Sequence, residues 1–184
     1  MKPILLAAAL LVSAAVPALA QQAPADPQNT VYLDTKDGRI TIRLRPDLAP
    51  KHVERIKTLT QQKFYDGVVF HRVMEGFMAQ TGDPTGTGTG GSPLPNLNAE
   101  FSKEPFKRGS VGMARSQSPN SANSQFFLCY DGCGSLTGQY TLLGEVVAGQ
   151  DVVDKIKKAP KSDPSGTVPN PDKIVRMRLA TEAQ

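Results

Sequence analysis

The sequence predicts a mainly β domain in which an antiparallel sheet closes on itself or folds into a sandwich. Three observations favour this fold class. Seven or eight short segments have the alternation or the β-branched and aromatic content of strands. The 184 residues include 16 Gly and 15 Pro, which favours many turns over long helices. Only two segments have helical spacing, and they do not alternate regularly with the strands, so a parallel sheet is disfavoured.

The first twenty residues are predicted to be a secretory signal peptide. Lys2 precedes an apolar stretch from Ile4 to Val16, and Ala18-Leu19-Ala20 suits a cleavage site. The stretch of thirteen residues is shorter than the roughly 20 that a membrane-spanning helix needs, so we expect an exported protein with no membrane association after cleavage. Residues 21–29 contain two prolines and no large apolar side chain, which predicts a disordered leader before a domain at residues 30–181.

A hairpin and a helix open the predicted domain. Apolar and polar residues alternate on both sides of Asp37-Gly38, which predicts two strands joined by a tight turn, with inward side chains at Val31, Leu33, Ile40, Ile42 and Leu44. A helix is expected from Pro50 to Gln62, where Val53, Ile56 and Leu59 have helical spacing. Pro50 suits its first turn, and Asp47 is the candidate N-cap.

The rest of the domain is predicted to consist of short strands and one more helix. The strands are expected at residues 68–73, 77–80, 110–114, 125–129, 140–147 and 175–179. A brief helix is expected from Gln150 to Lys158, because Val152, Val153 and Ile156 share a face and Pro160 stops the helix.

Composition and common motifs disfavour several function classes. The 21 basic residues are scattered among 17 acidic ones, so nucleic acid is not an expected partner. Residues 86–91 match a dinucleotide-binding fingerprint, but Ser92-Pro93-Leu94-Pro95 follows where that motif needs a helix, so a flexible or tightly turned loop is expected. His52 and His71 lack further ligands at metal-binding spacing, and no metal is expected. No Gly-x-Ser-x-Gly motif supports a hydrolase, although a triad assembled from distant residues stays open.

Three blocks of the sequence carry a specific resemblance. The first is Phe70-His71-Arg72-Val73 followed by residues 76–83, Gly-Phe-Met-Ala-Gln-Thr-Gly-Asp. The second comprises residues 109–114 and 119–128, and the third comprises residues 136–141 and 144–146. In this order the blocks resemble the cyclophilin family of peptidyl-prolyl cis-trans isomerases over nearly all of residues 30–180. The short loops and Ala114-Arg115-Ser116 are similar to the bacterial exported branch of that family.

The resemblance implies a fold, an activity and a location. The implied fold is a closed eight-stranded antiparallel β-barrel capped by two α-helices, with the substrate groove on its outer surface. The implied activity is rotation of X-Pro bonds without a cofactor, in proline-containing unfolded or extended polypeptides. We expect a periplasmic monomer that assists the folding of exported proteins. The alternative is a holdase of the same shape that binds proline-containing segments with little catalysis.

The resemblance also implies the site residues. It assigns catalysis to Arg72 and Gln80 and substrate binding to Phe77, Met78, Ala114, Gln125, Phe127, Leu136 and Tyr140. Strand alternation partly supports this set, because Met78 and Gln80 share one face while Phe126 and Leu128 turn to the core. Phe77 is adjacent to Met78, so the two side chains would point to opposite faces of an ideal strand. Phe77 can therefore share the site with Met78 only if the chain bends at Gly76. His71 is expected to lie on the face opposite Arg72 and to be structural or peripheral, hydrogen-bonded rather than catalytic.

Two positions depart from the pattern of many family members. Ser135 stands where many of them have an aromatic ring, so only weak binding of the drug cyclosporin is expected. Tyr140 stands where several have histidine. Cys129 and Cys133 are an even pair in a chain predicted to reach an oxidising compartment, which favours a disulfide over a pair of free thiols.

Overall fold

The structure is a computed structural model that describes residues 26–182. The predicted signal peptide and residues 21–25 lie outside the described residues. The helices are α1 (Pro50–Gln61) and α2 (Gln150–Lys155). The strands are β1 (Thr30–Thr35), β2 (Gly38–Leu44), β3 (Arg72–Met74), β4 (Met78–Thr81), β5 (Ser110–Met113), β6 (Phe126–Cys129), β7 (Leu142–Ala148) and β8 (Arg176–Leu179). Short 3₁₀ helices lie at Pro27–Asn29, Cys133–Leu136 and Ala180–Glu182. Neither helix of the described part is long and apolar enough to cross a membrane.

The eight strands form one antiparallel sheet in the order β3-β4-β6-β5-β7-β2-β1-β8. The mainly β class and the strand number are as predicted, but the closed barrel is not, because no ladder joins β3 to β8 within residues 26–182. Isolated bridges at Val69–Lys173 and Arg72–Thr167, with single backbone hydrogen bonds, join residues 67–73 to the segment that precedes β8. Pro169 and Pro171 lack the N–H donors that a continuous ladder requires, so the sheet is an open half-barrel.

The predicted hairpin is confirmed and lines the main core. Strand pairing sets Val31 opposite Ile42 and Leu33 opposite Ile40, across the two-residue turn Lys36–Asp37. These four side chains are at most 1% exposed and pack with the inner residues of the other strands. At the start of the described part, Pro27–Asn29 forms a 3₁₀ turn capped by Asp26, within the last residues of the leader that the sequence predicts to be disordered.

The two helices pack their predicted faces on the sheet, but their ends differ from expectation. Asp47 does not cap α1, since its carboxylate pairs with Arg45. Glu100 takes that role, because its carboxylate accepts hydrogen bonds from the amides of Lys51 and His52 at 3.2 and 3.1 Å. Helix α2 ends at Lys155 rather than Lys158, and Val152, Val153 and Ile156 are buried as predicted.

A second apolar cluster lies on the opposite side of the sheet from the main core. Ala79, Phe126 and Leu128 belong to the main core, whereas Met78 and Phe127 belong to the second cluster, as strand alternation predicts. The other buried members of the second cluster are Phe106, Cys129, Cys133 and Leu142. This outer cluster forms the floor of the candidate site.

Candidate active site

A row of paired residues crosses four neighbouring strands and forms the base of the site. Arg72 in β3 pairs with Gln80 in β4, Gln80 pairs with Phe127 in β6, and Phe127 pairs with Gly112 in β5. Directly paired residues place their side chains on the same face of a sheet. The register therefore sets a guanidinium, an amide and an aromatic ring side by side.

A pocket of about 90 Å³ opens above this row. Eight of the nine residues that the resemblance assigns to the site line it, together with Arg115. They are Arg72, Phe77, Met78, Gln80, Ala114, Phe127, Leu136 and Tyr140. The volume is well below the roughly 300 Å³ or more that is typical of pockets for drug-sized ligands, so the pocket suits a single small ring.

A larger cavity, lined mainly by glycines and by residues with polar side chains, adjoins the small pocket. Its volume is about 520 Å³, and it shares Gln80, Ala114 and Arg115 with the small pocket. The ninth predicted residue, Gln125, lines this cavity. The rest of its wall comes from the loop at residues 88–92 and from Asn96, Ser116, Ser121 and Asn123. A ligand that fills the small pocket would thus have the larger cavity directly beside it.

Arg72 is held at the edge of the small pocket by three contacts. Its Nε donates to the carbonyl of Ser165 at 2.9 Å, one terminal nitrogen donates to Gln80 Oε1 at 3.3 Å, and the other lies 3.1 Å from Met74 Sδ. These contacts use three of the five N–H donors of a guanidinium. One donor on each terminal nitrogen is therefore left for a ligand.

The orientation of the Gln80 side chain is fixed by a chain of hydrogen bonds that begins in the loop at residues 86–91, called here the glycine-rich loop. The carbonyls of Gly88 and Gly90 accept hydrogen bonds from Gln125 Nε2 at 3.1 and 2.8 Å. Gln125 Oε1 then accepts from Gln80 Nε2 at 2.8 Å, which leaves Gln80 Oε1 to accept from Arg72. Because Gln125 uses its NH₂ group on the loop carbonyls, its oxygen must accept from Gln80, and the oxygen of Gln80 is then left to accept from Arg72. The loop thus orients the guanidinium through the side-chain amides of Gln125 and Gln80.

Asp83 holds the glycine-rich loop in a tight turn, and no helix follows it, as predicted. Its buried carboxylate accepts hydrogen bonds from the amides of Thr85, Gly88 and Gly90 and from the Thr85 hydroxyl. Burial opposes ionisation, but these hydrogen bonds outweigh it and lower the pKa of Asp83 from 3.8 to about 2. Asp83 therefore carries its charge at any ordinary pH.

Phe77 reaches the pocket through a bend at Gly76, which its place beside Met78 requires. Gly76 has a positive φ of 75°, and the amide of Phe77 donates to the carbonyl of Met74 in a turn just before β4. Because Phe77 precedes the strand, it escapes the alternation that sends Ala79 to the main core. It therefore lines the pocket beside Met78.

Two aromatic rings, Phe127 and Tyr140, line the pocket, and a third, Phe106, packs against Phe127. Phe127 stacks on Phe106 with ring centroids 5.9 Å apart, and Tyr140 meets Phe127 edge-on at 5.9 Å. Gly112 lies beneath two of these rings, since a Cβ added there would come within 2.8 Å of both Phe127 and Phe106. The absence of a side chain at Gly112 thus gives the rings their space.

A disulfide joins Cys129 to Cys133, as the even pair of cysteines favours, with the two Cα atoms 5.9 Å apart. Cys129 ends β6, and Cys133 begins the 3₁₀ helix that carries Ser135 and Leu136. Cys133 Sγ lies 3.2 Å from the carbonyl of Phe77. The bridge therefore ties the Leu136 side of the pocket to its floor, with Ser135 exposed beside it.

His71 does not have the hydrogen bonds that are expected of it. It is 6% exposed, and neither ring nitrogen has a partner among residues 26–182. Burial lowers its pKa, so the neutral ring is favoured. Its ring lies against Gly88 of the glycine-rich loop, on the side of the strand away from the pocket. No cluster of three or more metal-ligating side chains is present in the described part of the chain.

Sequence reasoning missed three contributors to the site. Phe106 and Ser165 lie in loops without a recognisable pattern, and they reach the site only through the tertiary fold. Arg115 lies beside Ala114, which the resemblance does assign to the site. Its adjacency to Ala114 at the end of β5 is the one signal that could have identified it.

Comparisons with known proteins find a single family. The family model for the cyclophilin type peptidyl-prolyl cis-trans isomerase/CLD matches residues 30–179. A probable peptidyl-prolyl cis-trans isomerase of Brucella suis is 53% identical over 190 residues, which cover 97% of this chain and 96% of the relative. Peptidyl-prolyl cis-trans isomerase-like 3 of Rattus norvegicus is 39% identical over 138 residues, 73% of this chain and 85% of the relative.

Solved structures give the same result. The cyclophilin AquaCyp293 from Hirschia baltica has a TM-score of 0.75 and 25% identity, covering 91% of this chain and 82% of its own. A cyclophilin type isomerase of Cryptosporidium parvum, crystallised in the presence of the dipeptide Ala-Pro, has a TM-score of 0.73 and 28% identity over 82% of this chain and 98% of its own. The chain thus belongs to the cyclophilin-type peptidyl-prolyl cis-trans isomerase family.

Proposed function

We propose that this isomerase acts on X-Pro bonds of exported proteins in the periplasm and that Arg72 stabilises the twisted amide during rotation. The observation that carries the proposal is the position of the Arg72 guanidinium, at the edge of a pocket that is sized for one ring and has an apolar floor of Met78 and Phe127. Two of its N–H donors are directed to no protein partner among the described residues. That the Cryptosporidium parvum relative was crystallised in the presence of the dipeptide Ala-Pro supports a proline-containing ligand for this chain.

Rotation of an X-Pro bond asks for electrostatics rather than covalent chemistry. Peptide resonance sets a barrier of roughly 18 to 20 kcal/mol. In the twisted transition state the proline nitrogen becomes pyramidal and regains a lone pair, which the planar ground state lacks. A guanidinium N–H of Arg72 donates to that lone pair, so the contact is made in the transition state and lowers the barrier.

One charge-assisted hydrogen bond contributes roughly 1.5 to 3 kcal/mol, or one to two powers of ten in rate. The apolar side chains of Phe77, Met78, Phe127 and Leu136 supply the rest by holding the proline ring where water is largely excluded. In that environment the charge on Arg72 acts more strongly than in bulk water. Gln80 orients Arg72, and Gln125 and Ala114 line the path of the peptide beside the pocket.

The competing function is a holdase that binds proline-containing segments with little catalysis. The chain of hydrogen bonds that orients Arg72 favours the enzyme, because binding a proline ring needs no oriented cation. Exchange NMR on a short Ala-Pro peptide at substoichiometric protein separates the two. The isomerase increases cis-trans exchange many-fold, whereas a holdase broadens the peptide signals without increasing the exchange rate. The second outcome would reject the proposed function.

Export to the periplasm is supported by the apolar leader at residues 4–16 and by the Cys129–Cys133 bridge, since disulfides persist in oxidising compartments. Cell fractionation followed by mass spectrometry tests it. The expected product is a periplasmic chain that begins at Gln21, and an unprocessed cytoplasmic chain would contradict export. We further propose that the protein is a monomer. We also propose that it binds cyclosporin only weakly, because Ser135 supplies no aromatic ring beside Leu136.

A further inference from the structure

Arg72 and Arg115 are the only charged residues among the described residues that line the two adjoining pockets. None of these lining residues is Asp or Glu. The larger pocket presents hydroxyl and amide groups to a ligand, among them Ser92, Ser116 and Asn123. A peptide side chain next to the bound proline therefore meets a polar surface with a net positive charge.

Arg115 is held in place before any ligand binds. Its Nε and one terminal nitrogen donate to the carbonyl of Gln139 at 3.3 and 3.0 Å. The other terminal nitrogen donates to the carbonyls of Ser116 and Gln117 at 2.9 and 3.2 Å. The guanidinium also stacks on the ring of Tyr140, 4.5 Å from its centroid. A ligand group thus binds a side chain that has little conformational freedom left to lose.

The charge of Arg115 has no counter-ion within the described part of the chain. All its hydrogen-bond partners are neutral carbonyls, and no carboxylate lies within 4.0 Å of it among residues 26–182. Arg43 and Arg178, by contrast, pair with Glu145 and Asp66. The four contacts leave one N–H of Arg115 available. A carboxylate from a ligand would supply both the missing charge and the missing acceptor.

We propose that the isomerase prefers substrates with an Asp or Glu side chain close to the isomerised proline and that Arg115 is the specificity-determining residue. The carboxylate enters from the polar cavity, which adjoins the proline pocket at Gln80, Ala114 and Arg115. A Lys or Arg at the same substrate position is disfavoured, since it meets a cation in a partly buried site. This inference rests on the proposed function, because it concerns the same pocket and the same peptide.

The test uses exchange NMR, so that no coupling protease adds a charge preference of its own. A single proline peptide is made with Glu, Gln or Lys at each of the three positions before the proline and at the position after it. At one position the Glu peptide is expected to have about fivefold higher kcat/KM than the Gln peptide, equivalent to about 1 kcal/mol. The Lys peptide is expected to be the slowest, and high salt should reduce the differences.

Three variants assign the preference to Arg115. Arg115→Gln should bring the Glu-to-Gln rate ratio close to one, Arg115→Lys should retain part of the ratio, and Arg115→Glu should favour the Lys peptide. The control is Arg176→Gln, because Arg176 is an exposed arginine of β8 that pairs with Asp34. The control variant should keep the wild-type ratio. Using ratios within one variant removes any effect of the substitution on the overall rate.

The outcomes separate this inference from the proposed function. Equal rates for the Glu, Gln and Lys peptides at all positions would overturn the acidic preference and leave the isomerase intact. An acidic preference that persists in Arg115→Gln and fails to reverse in Arg115→Glu would overturn the role of Arg115. No acceleration of even the Gln peptides would instead overturn the proposed function.

Discussion

Substitution of Gly112 by alanine tests whether the aromatic wall of the pocket must stand where the structure places it. Gly112 pairs with Phe127 across β5 and β6 and lies beneath the rings of Phe127 and Phe106. An added Cβ would lie 2.8 Å from Phe127 Cε2 and 2.7 Å from Phe106 Cε1, against ordinary contacts of 3.4–4 Å. Phe127 Cζ would lie closer still, so the Phe127 ring must retreat by more than 0.6 Å (3.4 − 2.8) and the Phe106 ring by about 0.7 Å (3.4 − 2.7).

That displacement is large for a pocket of about 90 Å³. Phe127 cannot move without disturbing the edge-on contact with Tyr140 or the outer cluster around Met78. Overpacking of this kind costs about 1–3 kcal/mol of stability. Misplacement of a positioning group by about 1 Å costs about a hundredfold in rate. We expect Gly112→Ala to fold with reduced stability and to lose about ten- to a hundredfold in kcat/KM.

The assay compares exchange-NMR rates and thermal unfolding of Gly112→Ala with those of Gly134→Ala. Gly134 lies in the Cys133–Leu136 segment, and a Cβ there meets nothing within 4 Å, so it is a matched control for the same change. The control should keep both activity and stability. A folded Gly112→Ala variant with unchanged kcat/KM would refute the claim that Phe127 holds the proline ring.

Three further predictions concern groups around the pocket. The pKa of Asp83 is about 2 in the folded protein, against an ordinary value of 3.8. The ionised carboxylate therefore contributes about 1 to 2 kcal/mol to the free energy of unfolding above pH 3.8, and this contribution is lost as the pH falls towards 2. Urea unfolding across this pH range should show a weaker pH dependence for Asp83→Asn than for the wild type. Reduction of the Cys129–Cys133 bridge should raise KM for a proline peptide and lower Tm only slightly, because the bridge holds the Leu136 segment but closes a small ring that contributes at most about 2 kcal/mol of stability. Exchange NMR and calorimetry on oxidised and reduced protein measure the two effects. An unchanged KM would contradict the expectation. Ser135→Trp should bind cyclosporin about ten- to a hundredfold more tightly than the wild type, because the added ring extends the apolar wall of the pocket. Titration calorimetry measures both affinities, and equal values would show that Ser135 does not face the drug.

Local pattern predicts the elements whose partners are also local. The β1–β2 hairpin is predictable because both strands and the turn between them lie within 15 residues, and every inward side chain follows the alternation. The helical face of α1 is predictable for the same reason. Its N-terminal cap is not, since Glu100 lies about 50 residues away and no capping motif links the two segments.

Strand pairing is less predictable where the partner segment is irregular. The apolar pattern at residues 68–73 predicts a strand, but the ladder begins only at Arg72. Residues 67–70 instead form single hydrogen bonds with residues 172–174, which directly follow Pro169 and Pro171. Val175 fits the alternation of β8 and is nevertheless 54% exposed, because the ladder starts at Arg176. The late start of β3 is explained by Pro169 and Pro171 in the opposing segment, which the apolar pattern of residues 68–73 does not reveal, whereas no proline lies in β1 opposite Val175.

The site itself is predictable only as far as its motifs extend. Arg72, Gln80 and Phe127 lie in contiguous blocks of the family pattern, and strand register brings them into one row. Phe106 and the carbonyl of Ser165 come from loops whose sequence carries no such pattern. Backbone carbonyls are supplied by every residue type, so a contact such as Ser165 to Arg72 leaves no mark in the sequence.

The claim that Arg72 lowers the rotational barrier is tested most directly by Arg72→Ala. Arg72 is a half-buried residue of the pocket edge whose removal leaves no cavity in the main core, so the variant should fold with nearly unchanged Tm. The measurement is the rate of cis-trans exchange of a proline peptide at saturating concentration, by NMR. The account predicts a fall in kcat of at least about tenfold, equivalent to roughly 1.4 kcal/mol. A folded Arg72→Ala protein that turns over the peptide at nearly the wild-type rate would contradict it.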